Sequence, residues 1–137
     1  MLSNIYVDTN IIIDICDLKR PSHMSSLKII RDYAEDGCEL YINSDSLATL
    51  FYILRNQAKL SFEEAIEKMY FVRDIFTLIS IDDSIFYEAL ALCENNICTD
   101  YEDATQYICA KKVEADIIVT NDKGFISEDI ELFSTMS

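Results

Sequence analysis

The chain has 137 residues, about one domain's worth, and a formal net charge of −14. Half of the residues are apolar and only two are Gly and one is Pro, which is typical of a compact, helix-rich globular protein. The longest apolar runs are far shorter than the roughly 20 residues that span a membrane. No basic segment precedes the first apolar stretch, as it would in a signal peptide. We therefore expect one domain over residues 1–137, without a membrane anchor and in the cytoplasm.

The cysteines and the charges exclude several kinds of site. The five cysteines form no Cys-x-x-Cys pair and His23 is the only histidine, so we expect reduced thiols and no zinc site. Residues 61–137 hold seventeen acids and five bases, a net charge of −12, whereas residues 1–60 hold eight acids and six bases, a net charge of −2. Broad binding of nucleic acid needs a basic surface, so any RNA contact should be local and assisted by a metal. The bases available for it are Lys19, Arg20, Lys28, Arg31, Arg55 and Lys59.

The first third of the chain predicts a strand followed by two helices. Asn4–Asp8 has the pattern of a short buried strand, and the apolar run after it predicts a helix that Asp8 or Thr9 would cap. Pro21 lies near the predicted start of a second helix, and Gly37 predicts its end.

The middle of the chain repeats this order. Glu39–Asn43 predicts a second strand, and Ser44 or Asp45 would cap the helix after it. Ser61 and Glu64 form the Ser-x-x-Glu pattern of a capping box, which predicts the start of a further helix.

The second half adds three strands and two helices. Asp82 or Asp83 would cap the first of these helices, and Asp100 would start the second. The strands are predicted at Phe76–Ile81, Asp116–Thr120 and Ile130–Phe133. Strands that alternate with helices indicate an α/β fold with a parallel sheet covered on both faces. Such sheets bind ligands beyond the carboxyl ends of their strands.

Four aspartates lie near those predicted strand ends. They are Asp8, Asp100, Asp103 and Asp122. Each alone has a structural explanation: Asp8 as a helix cap, the Asp-x-x-Asp pair as a capping box, and Asp122 in an Asx turn. Together they would repel one another unless a cation lay among them. They therefore predict a Mg²⁺ or Mn²⁺ site.

Three segments resemble the motifs of the PIN-domain family in order and spacing, over essentially the whole chain. They read Ile5-Tyr-Val-Asp8-Thr9-Asn10, Asp100-Tyr-Glu-Asp103-Ala104-Thr-Gln106 and Ile118-Val-Thr120-Asn-Asp122-Lys-Gly-Phe125. The resemblance implies a three-layer α/β/α fold with a parallel sheet of about five strands in the order 3-2-1-4-5. It implies that the metal ligands are Asp8, Asp100, Asp103 and Asp122, with all but Asp100 also catalytic. Asn10 and Thr120 match polar positions that orient such ligands.

One segment departs from the family pattern. The helix after the second strand usually carries a Glu in a Ser-x-x-x-x-Glu-Leu segment, and here Ser44 is followed by Thr49 in the place of the acid. The hydroxyls of Ser44 and Thr49 would then support the ligands. Asp45, one turn away, is an alternative source of the missing charge. The loss of one carboxylate should weaken a second metal position more than the first.

The resemblance implies a metal-dependent endoribonuclease, of the kind found as the toxin of type II toxin–antitoxin pairs (VapC-like). RNA would be the substrate, an antitoxin protein the partner, and a homodimer the expected assembly. Because of Thr49 and the acidic surface, a second hypothesis is a weak or inactive PIN-like module that binds a protein or RNA. Receiver and phosphatase domains also place Asp at strand ends, but Asp8-Thr9-Asn10 has neither the paired acids nor the Asp-x-Asp that they need.

Overall fold

The computed structural model describes residues 2–136, which form five strands and six helices. In chain order these are β1 (Asn4–Val7), α1 (Thr9–Cys16), α2 (His23–Glu35), β2 (Glu39–Asn43), α3 (Ser44–Asn56), α4 (Phe62–Ile75), β3 (Thr77–Ile79), α5 (Asp83–Glu94), α6 (Tyr101–Lys112), β4 (Ile117–Val119) and β5 (Glu131–Phe133). Every predicted strand is present, and all but β2 are shorter than predicted. Within residues 2–136 no helix is long and apolar enough to cross a membrane. All five cysteines are free.

The five strands form one parallel sheet in the order β3-β2-β1-β4-β5, which confirms the predicted topology. The central strand β1 pairs on one side with β2, Ile5 opposite Leu40, and on the other with β4, Ile5 opposite Ile117. The chain builds outward from β1 to β3 and then returns to β4 and β5 on the other side. Strand order therefore reverses between β1 and β4, and their carboxyl ends are where sheets of this kind bind ligands.

Helices cover both faces of the sheet. Side chains alternate along β1, so that Ile5 and Val7 pack in a core with α1 to α4 while Tyr6 packs in a second core with α5 and α6. β4 alternates in the same way, with Ile118 in the second core. Strands that are buried on both faces explain the continuous apolar runs in the sequence. The architecture is the expected three-layer α/β/α arrangement.

Three predicted helix ends are confirmed. The Ser61 hydroxyl accepts a hydrogen bond from the Glu64 N–H, and the Glu64 carboxylate accepts one from the Ser61 N–H, so the capping box of α4 is complete. Asp82 caps α5 by accepting from the Ile85 N–H at 2.9 Å. Gly37 follows α2 with φ of +82°, a conformation that favours glycine and ends the helix.

The cap predicted for α3 was wrong. Asn43, the last residue of β2, caps this helix, because its extended backbone places Oδ1 3.0 Å from the Ser46 N–H. Ser44 and Asp45 are already inside the first turn of α3 and therefore cannot cap it. The strand passes directly into the helix, without an intervening loop.

Candidate metal centre

Asp8 is the buried acid at the centre of the sheet edge. It follows β1, is 2% exposed and donates its backbone N–H to the Val119 carbonyl of β4 at 3.0 Å. Asp8 is the N-cap residue of α1, one of the two residues predicted for this place, but its side chain makes no capping hydrogen bond. Instead, Oδ2 accepts from Thr120 Oγ1 at 2.7 Å and Oδ1 accepts from Gln106 Nε2 at 2.9 Å. Both oxygens are fixed in direction, and each keeps lone-pair capacity for another ligand.

Gln106 of α6 holds Asp8, a role that the sequence did not predict. Its side chain is fully buried, and Oε1 accepts from the Thr9 N–H at 3.0 Å. Only this orientation of the amide satisfies both neighbours, because a carboxylate accepts and an N–H donates. Gln106 lies three residues after Asp103, on the same side of α6, and this spacing is the signal that could have identified it.

The surroundings of Asp8 leave its negative charge incompletely balanced. Burial raises the pKa of the Asp8 carboxyl, the hydrogen bonds from Thr120 and Gln106 lower it again, and the charge of Asp122 raises it. Asn10 is exposed, and its backbone N–H lowers the pKa of the Asp8 carboxyl. Burial prevails over these hydrogen bonds, so the net pKa of the Asp8 carboxyl lies above the ordinary value.

Asp100 and Asp103 lie at the start of α6. Asp100 Oδ1 accepts from the Asp103 N–H at 3.1 Å, so the structural explanation for Asp100, a helix cap, is correct as far as it goes. Asp103 is partly buried. Burial and then the neighbouring carboxylates, Asp100 foremost, raise the pKa of Asp103 from its ordinary 3.8 to about 7. A carboxyl that keeps its proton near neutral pH for this reason is one at which a cation can replace the proton.

Asp122 lies in the exposed turn after β4. Its Oδ1 accepts from the Gly124 N–H at 2.8 Å, which is the Asx turn considered from the sequence. The turn uses only one of its two oxygens. The Asp122 N–H donates to Thr120 Oγ1 at 3.1 Å, and the same hydroxyl donates to Asp8, so Thr120 links the two acids. The charge of Asp122 raises the pKa of Asp8 and of Asp103.

The two hydroxyls predicted on α3 have different surroundings. Ser44 Oγ accepts from the Ile81 N–H at 3.2 Å, which joins α3 to the segment after β3. Thr49 lies beside Glu102 of α6. Burial and then nearby acids raise the pKa of Glu102, whereas hydrogen bonding from Thr49 lowers it. Glu102 lies inside the second of the three motifs, but the motif predicted no role for it.

These acids lie near one another without forming a closed cage. Within residues 2–136, no group of three or more Cys, His, Asp and Glu side chains is arranged to hold a metal ion by itself. Mg²⁺, however, keeps several waters and takes one or two carboxylates together with a phosphate. The carboxylates of Asp8 and Asp103 fit such a water-rich site, because carboxylate oxygens are the donors that Mg²⁺ takes from proteins.

A depression of about 550 Å³ opens beside the acids. Its wall includes Asn121, whose side chain accepts from the Thr135 N–H and donates to Thr135 Oγ1, both at 2.8 Å. Thr135 Oγ1 in turn lies 2.9 Å from Ser26 Oγ of α2. Buried polar contacts therefore fix this wall to α2. The full lining is Thr120, Asn121, Asp122, Lys123, Leu132, Ser134 and Met136.

Comparison with known sequences agrees with this architecture. A family model described as PIN domain matches residues 4–124, a range that includes β1 to β4 and all four aspartates. Ribonuclease VapC1 from Aquifex aeolicus (strain VF5) is 33% identical over 132 residues, which cover 96% of this chain and 90% of the relative.

Solved structures share the fold at low sequence identity. Mycobacterium tuberculosis VapC20, described as a Sarcin-Ricin loop cleaving toxin, superposes with a TM-score of 0.72 at 14% identity over 88% of this chain and 92% of that one. VapBC2 from Rickettsia felis, bound to a DNA fragment from their promoter, superposes with a TM-score of 0.71 at 18% identity over 96% of this chain and 98% of that one. FitAcB from Neisseria gonorrhoeae superposes with a TM-score of 0.67 at 16% identity over 96% of this chain and 97% of that one. With these likenesses of fold beside the family match and the relative in Aquifex, the chain belongs to the PIN domain family.

Proposed function

We propose that this protein is a one-domain, Mg²⁺- or Mn²⁺-dependent endoribonuclease. Asp8, Asp103 and Asp122 would hold the metal, with help from Asp100. The observation that carries the proposal is the Asp8 carboxylate, which is buried, oriented through both oxygens and surrounded by other acids. The identity to Ribonuclease VapC1 supports the choice of RNA as the substrate.

The residues of such a site would have separate roles. A divalent ion, when bound, supplies charge stabilisation for a phosphodiester and lowers the pKa of water without a histidine base. Thr120 and Gln106 hold the two oxygens of Asp8 in fixed directions. Asp103 would help to hold the ion as a carboxylate, and its raised pKa, which arises from burial and from the other acids, would make the ion compete with a proton there. Asp122 brings a carboxylate from the turn that borders the open depression.

We also propose that the protein acts as the toxin of a type II toxin–antitoxin pair. The structural neighbour VapC20 is described as a toxin, and this chain shares its fold. An antitoxin could insert an Arg or Lys side chain among the acids, because a cationic side chain replaces the charge of the metal and can hydrogen-bond two carboxylate oxygens. This partner should therefore compete with Mn²⁺ for the same edge of the sheet.

The decisive experiment is cleavage of a defined single-stranded RNA by the purified protein in Mn²⁺, Mg²⁺ or EDTA. The Asp8→Asn variant keeps the size of the side chain but removes its charge and one of the two oxygens that accept hydrogen bonds from Thr120 and Gln106. It should lose at least about 100-fold in rate, a typical loss when charge stabilisation of the transition state is removed. Asp74→Asn, at an exposed position of α4, is the matched control and should cleave like the wild type.

The same experiment tests the alternative of a PIN-like module that binds without cleaving. Thr49 in place of an acid favours this alternative, because the site then has one carboxylate fewer on α3. The alternative would be established if the folded protein bound RNA but failed to cleave it both in Mn²⁺ and in Mg²⁺. Cleavage that persists in EDTA or in Asp8→Asn would refute the metal-dependent mechanism.

A further inference from the structure

Asn121 lies in the loop after β4, between two residues of the proposed site. Thr120 precedes it and donates to Asp8, and Asp122 follows it in the Asx turn. The Asn121 side chain is bound to the segment after β5: its Oδ1 accepts from the Thr135 N–H and its Nδ2 donates to Thr135 Oγ1, both at 2.8 Å. The contacts of Thr135 therefore help to set the course of the loop.

The hydrogen bonds continue from Thr135 to a buried charge on α1. Thr135 Oγ1 lies 2.9 Å from Ser26 Oγ, and Ser26 Oγ lies 2.9 Å from Asp14 Oδ2. The other oxygen of Asp14 accepts from Arg20 Nε at 2.8 Å. Ser26 and Asp14 are 0% and 3% exposed. We call the connected side chains the polar row: Asp14, Ser26, Thr135 and Asn121.

The direction of each hydrogen bond in the polar row follows from the carboxylate at its end. A carboxylate only accepts, so the single hydroxyl proton of Ser26 goes to Asp14. Thr135 must then donate its own proton to Ser26, which leaves Thr135 Oγ1 to accept from Asn121 Nδ2. The Asn121 amide therefore has one orientation that satisfies its partners. Because every donation runs toward a negative charge, each hydrogen bond strengthens the next one along the row.

The polar row holds a part of the loop that lies beyond the sheet. β4 and β5 pair up to Phe133, whose carbonyl accepts from the Thr120 N–H at 2.9 Å. Asn121 and Thr135 follow this last backbone contact, so their side chains continue the connection where the strands have ended. The row ends on α1, which begins where β1 ends. The loop is thus joined to the β1–α1 segment twice, directly through Thr120 and again through the row.

We propose that Ser26 and Thr135 are positioning residues of the proposed metal centre: through Asn121 they hold the loop that carries Thr120 and Asp122. The inference rests on the proposed function, because the position of this loop matters to a cation only if these residues serve a metal site. Without the polar row, Asp122 would sample a wider range of positions, and the site would hold a cation less tightly.

The first measurement is amide hydrogen exchange in the loop of the metal-free protein, followed by NMR. Thr135→Val keeps the shape of the side chain but removes the hydroxyl from the middle of the row. The Asp122 and Gly124 N–H groups, which donate within the loop, should then exchange at least about fivefold faster, as the loss of one net hydrogen bond implies. Thr135→Ser restores the hydroxyl and should exchange like the wild type.

Two controls separate this effect from a general loss of stability. Ser61→Ala removes part of the capping box of α4, and Thr77→Val removes an exposed hydroxyl that contacts Glu39 at the other edge of the sheet. Both should leave exchange in the loop unchanged. Ser26→Ala breaks the row one link further from the loop and should repeat the pattern of Thr135→Val. It carries the test if Thr135→Val does not fold, as judged by its melting temperature.

The second measurement is isothermal titration of Mn²⁺ into the full chain without RNA. Thr135→Val should bind Mn²⁺ about 10-fold more weakly than the wild type, the lower end of the loss that follows removal of a supporting partner from a metal site. Thr135→Ser and Thr77→Val should bind within about twofold of the wild type. Asp8→Asn, which removes the charge of a proposed ligand, should abolish binding.

The outcomes separate this inference from the proposed function. Unchanged loop exchange in a folded Thr135→Val, faster exchange that extends across α4, or equally fast exchange in Thr135→Ser would each overturn the inference. Faster loop exchange with wild-type Mn²⁺ affinity would also overturn it, while loss of binding in Asp8→Asn upholds the metal site. A wild-type protein that binds no Mn²⁺ would overturn the proposed function, and the positioning role with it.

Discussion

The side-chain amide of Gln106 hydrogen-bonds both Asp8 and Thr9, and these two contacts determine the geometry of the site. Its N–H group fixes one oxygen of the acid, and its carbonyl accepts the N–H of Thr9 in the first turn of α1. A buried side chain with two such partners is costly to replace, because both partners are left without hydrogen bonds. Gln106 therefore affects both stability and the position of the proposed ligand.

We predict that Gln106→Leu, which keeps the volume approximately, lowers the free energy of unfolding by about 2–4 kcal/mol, since two buried polar groups lose a partner. It should also reduce cleavage by at least about tenfold, because Asp8 Oδ1 is no longer held. Urea denaturation and the RNA assay measure the two effects. Gln57→Leu changes an exposed glutamine after α3 and should leave both nearly unchanged. Wild-type stability in Gln106→Leu would contradict the assigned role.

Asp103 should destabilise the metal-free fold as the pH rises. Its pKa is about 7 in the folded protein and 3.8 ordinarily, so between these pH values the folded chain binds more protons than the unfolded chain. Stability then falls with rising pH. In EDTA, Asp103→Asn should raise the melting temperature by roughly 2–5 °C at pH 8 and change it little at pH 4. Differential scanning fluorimetry across this range measures the difference.

Asp129 provides a control, because its pKa is shifted in the opposite direction to that of Asp103. Hydrogen bonds from Tyr107 and Lys111 hold the pKa of Asp129 below its ordinary value. Such an acid stabilises the fold above its unfolded pKa and loses this contribution as the pH falls. Asp129→Asn should therefore lower the melting temperature at pH 8. If both variants shifted it in the same direction, the electrostatic explanation for Asp103 would fail.

At the scale of the elements, the N-terminal cap of α4 should affect the stability of the fold but not the activity of the proposed site. Removal of the Ser61 hydroxyl breaks one half of the capping box. Ser61→Ala should cost about 0.5–2 kcal/mol of stability, measured by urea denaturation, without changing the cleavage rate per folded molecule. Ser84→Ala, which removes an exposed contact with Glu88 on α5, should cost only a few tenths of a kcal/mol. A loss of activity in Ser61→Ala would mean that α4 takes part in the site.

The elements also show what the sequence could and could not predict. The strands and the capping box follow from local patterns, the strand order was implied by the resemblance of three motifs to the PIN-domain family, and all of these predictions were correct. The roles of Gln106 and Asn43 were missed. Gln106 acts on a residue 98 positions away, so its partner depends on how α6 packs against β1. Asn43 belongs to a strand and caps a helix at once, and a pattern of alternation alone does not show the second role.

For the whole molecule, the distribution of basic side chains limits how the proposed RNA substrate could be held. Four of the six bases predicted to contact it already make intrachain contacts: Arg20 with Asp14, Lys28 with Asp32, Lys19 with the Ala58 carbonyl and Arg55 with the Leu60 carbonyl. Lys123 lies elsewhere, exposed on the lining of the depression beside Asp122. It is the base best placed to meet a phosphate that approaches the acids.

We therefore predict that Lys123→Ala weakens RNA binding to a similar extent for all sequences. The slope of the logarithm of affinity against the logarithm of salt concentration should also fall by about 0.7, the value for one contact with single-stranded nucleic acid. Fluorescence anisotropy with the cleavage-deficient Asp8→Asn variant measures both. Lys28→Ala, an exposed lysine on α2, is the matched control. An unchanged salt slope in Lys123→Ala would place the phosphate contact elsewhere.

The contact between Thr135 and Asn121 has a practical consequence for anyone who prepares this protein. The last described residues are anchored to the loop after β4, and Met136 forms part of the rim around the open depression. A purification tag fused behind this segment would start at the mouth of the proposed site. Polyhistidine there would bring metal-binding imidazoles next to the acids and distort both titrations and cleavage assays. An amino-terminal tag, removed by a protease before measurement, avoids that artefact.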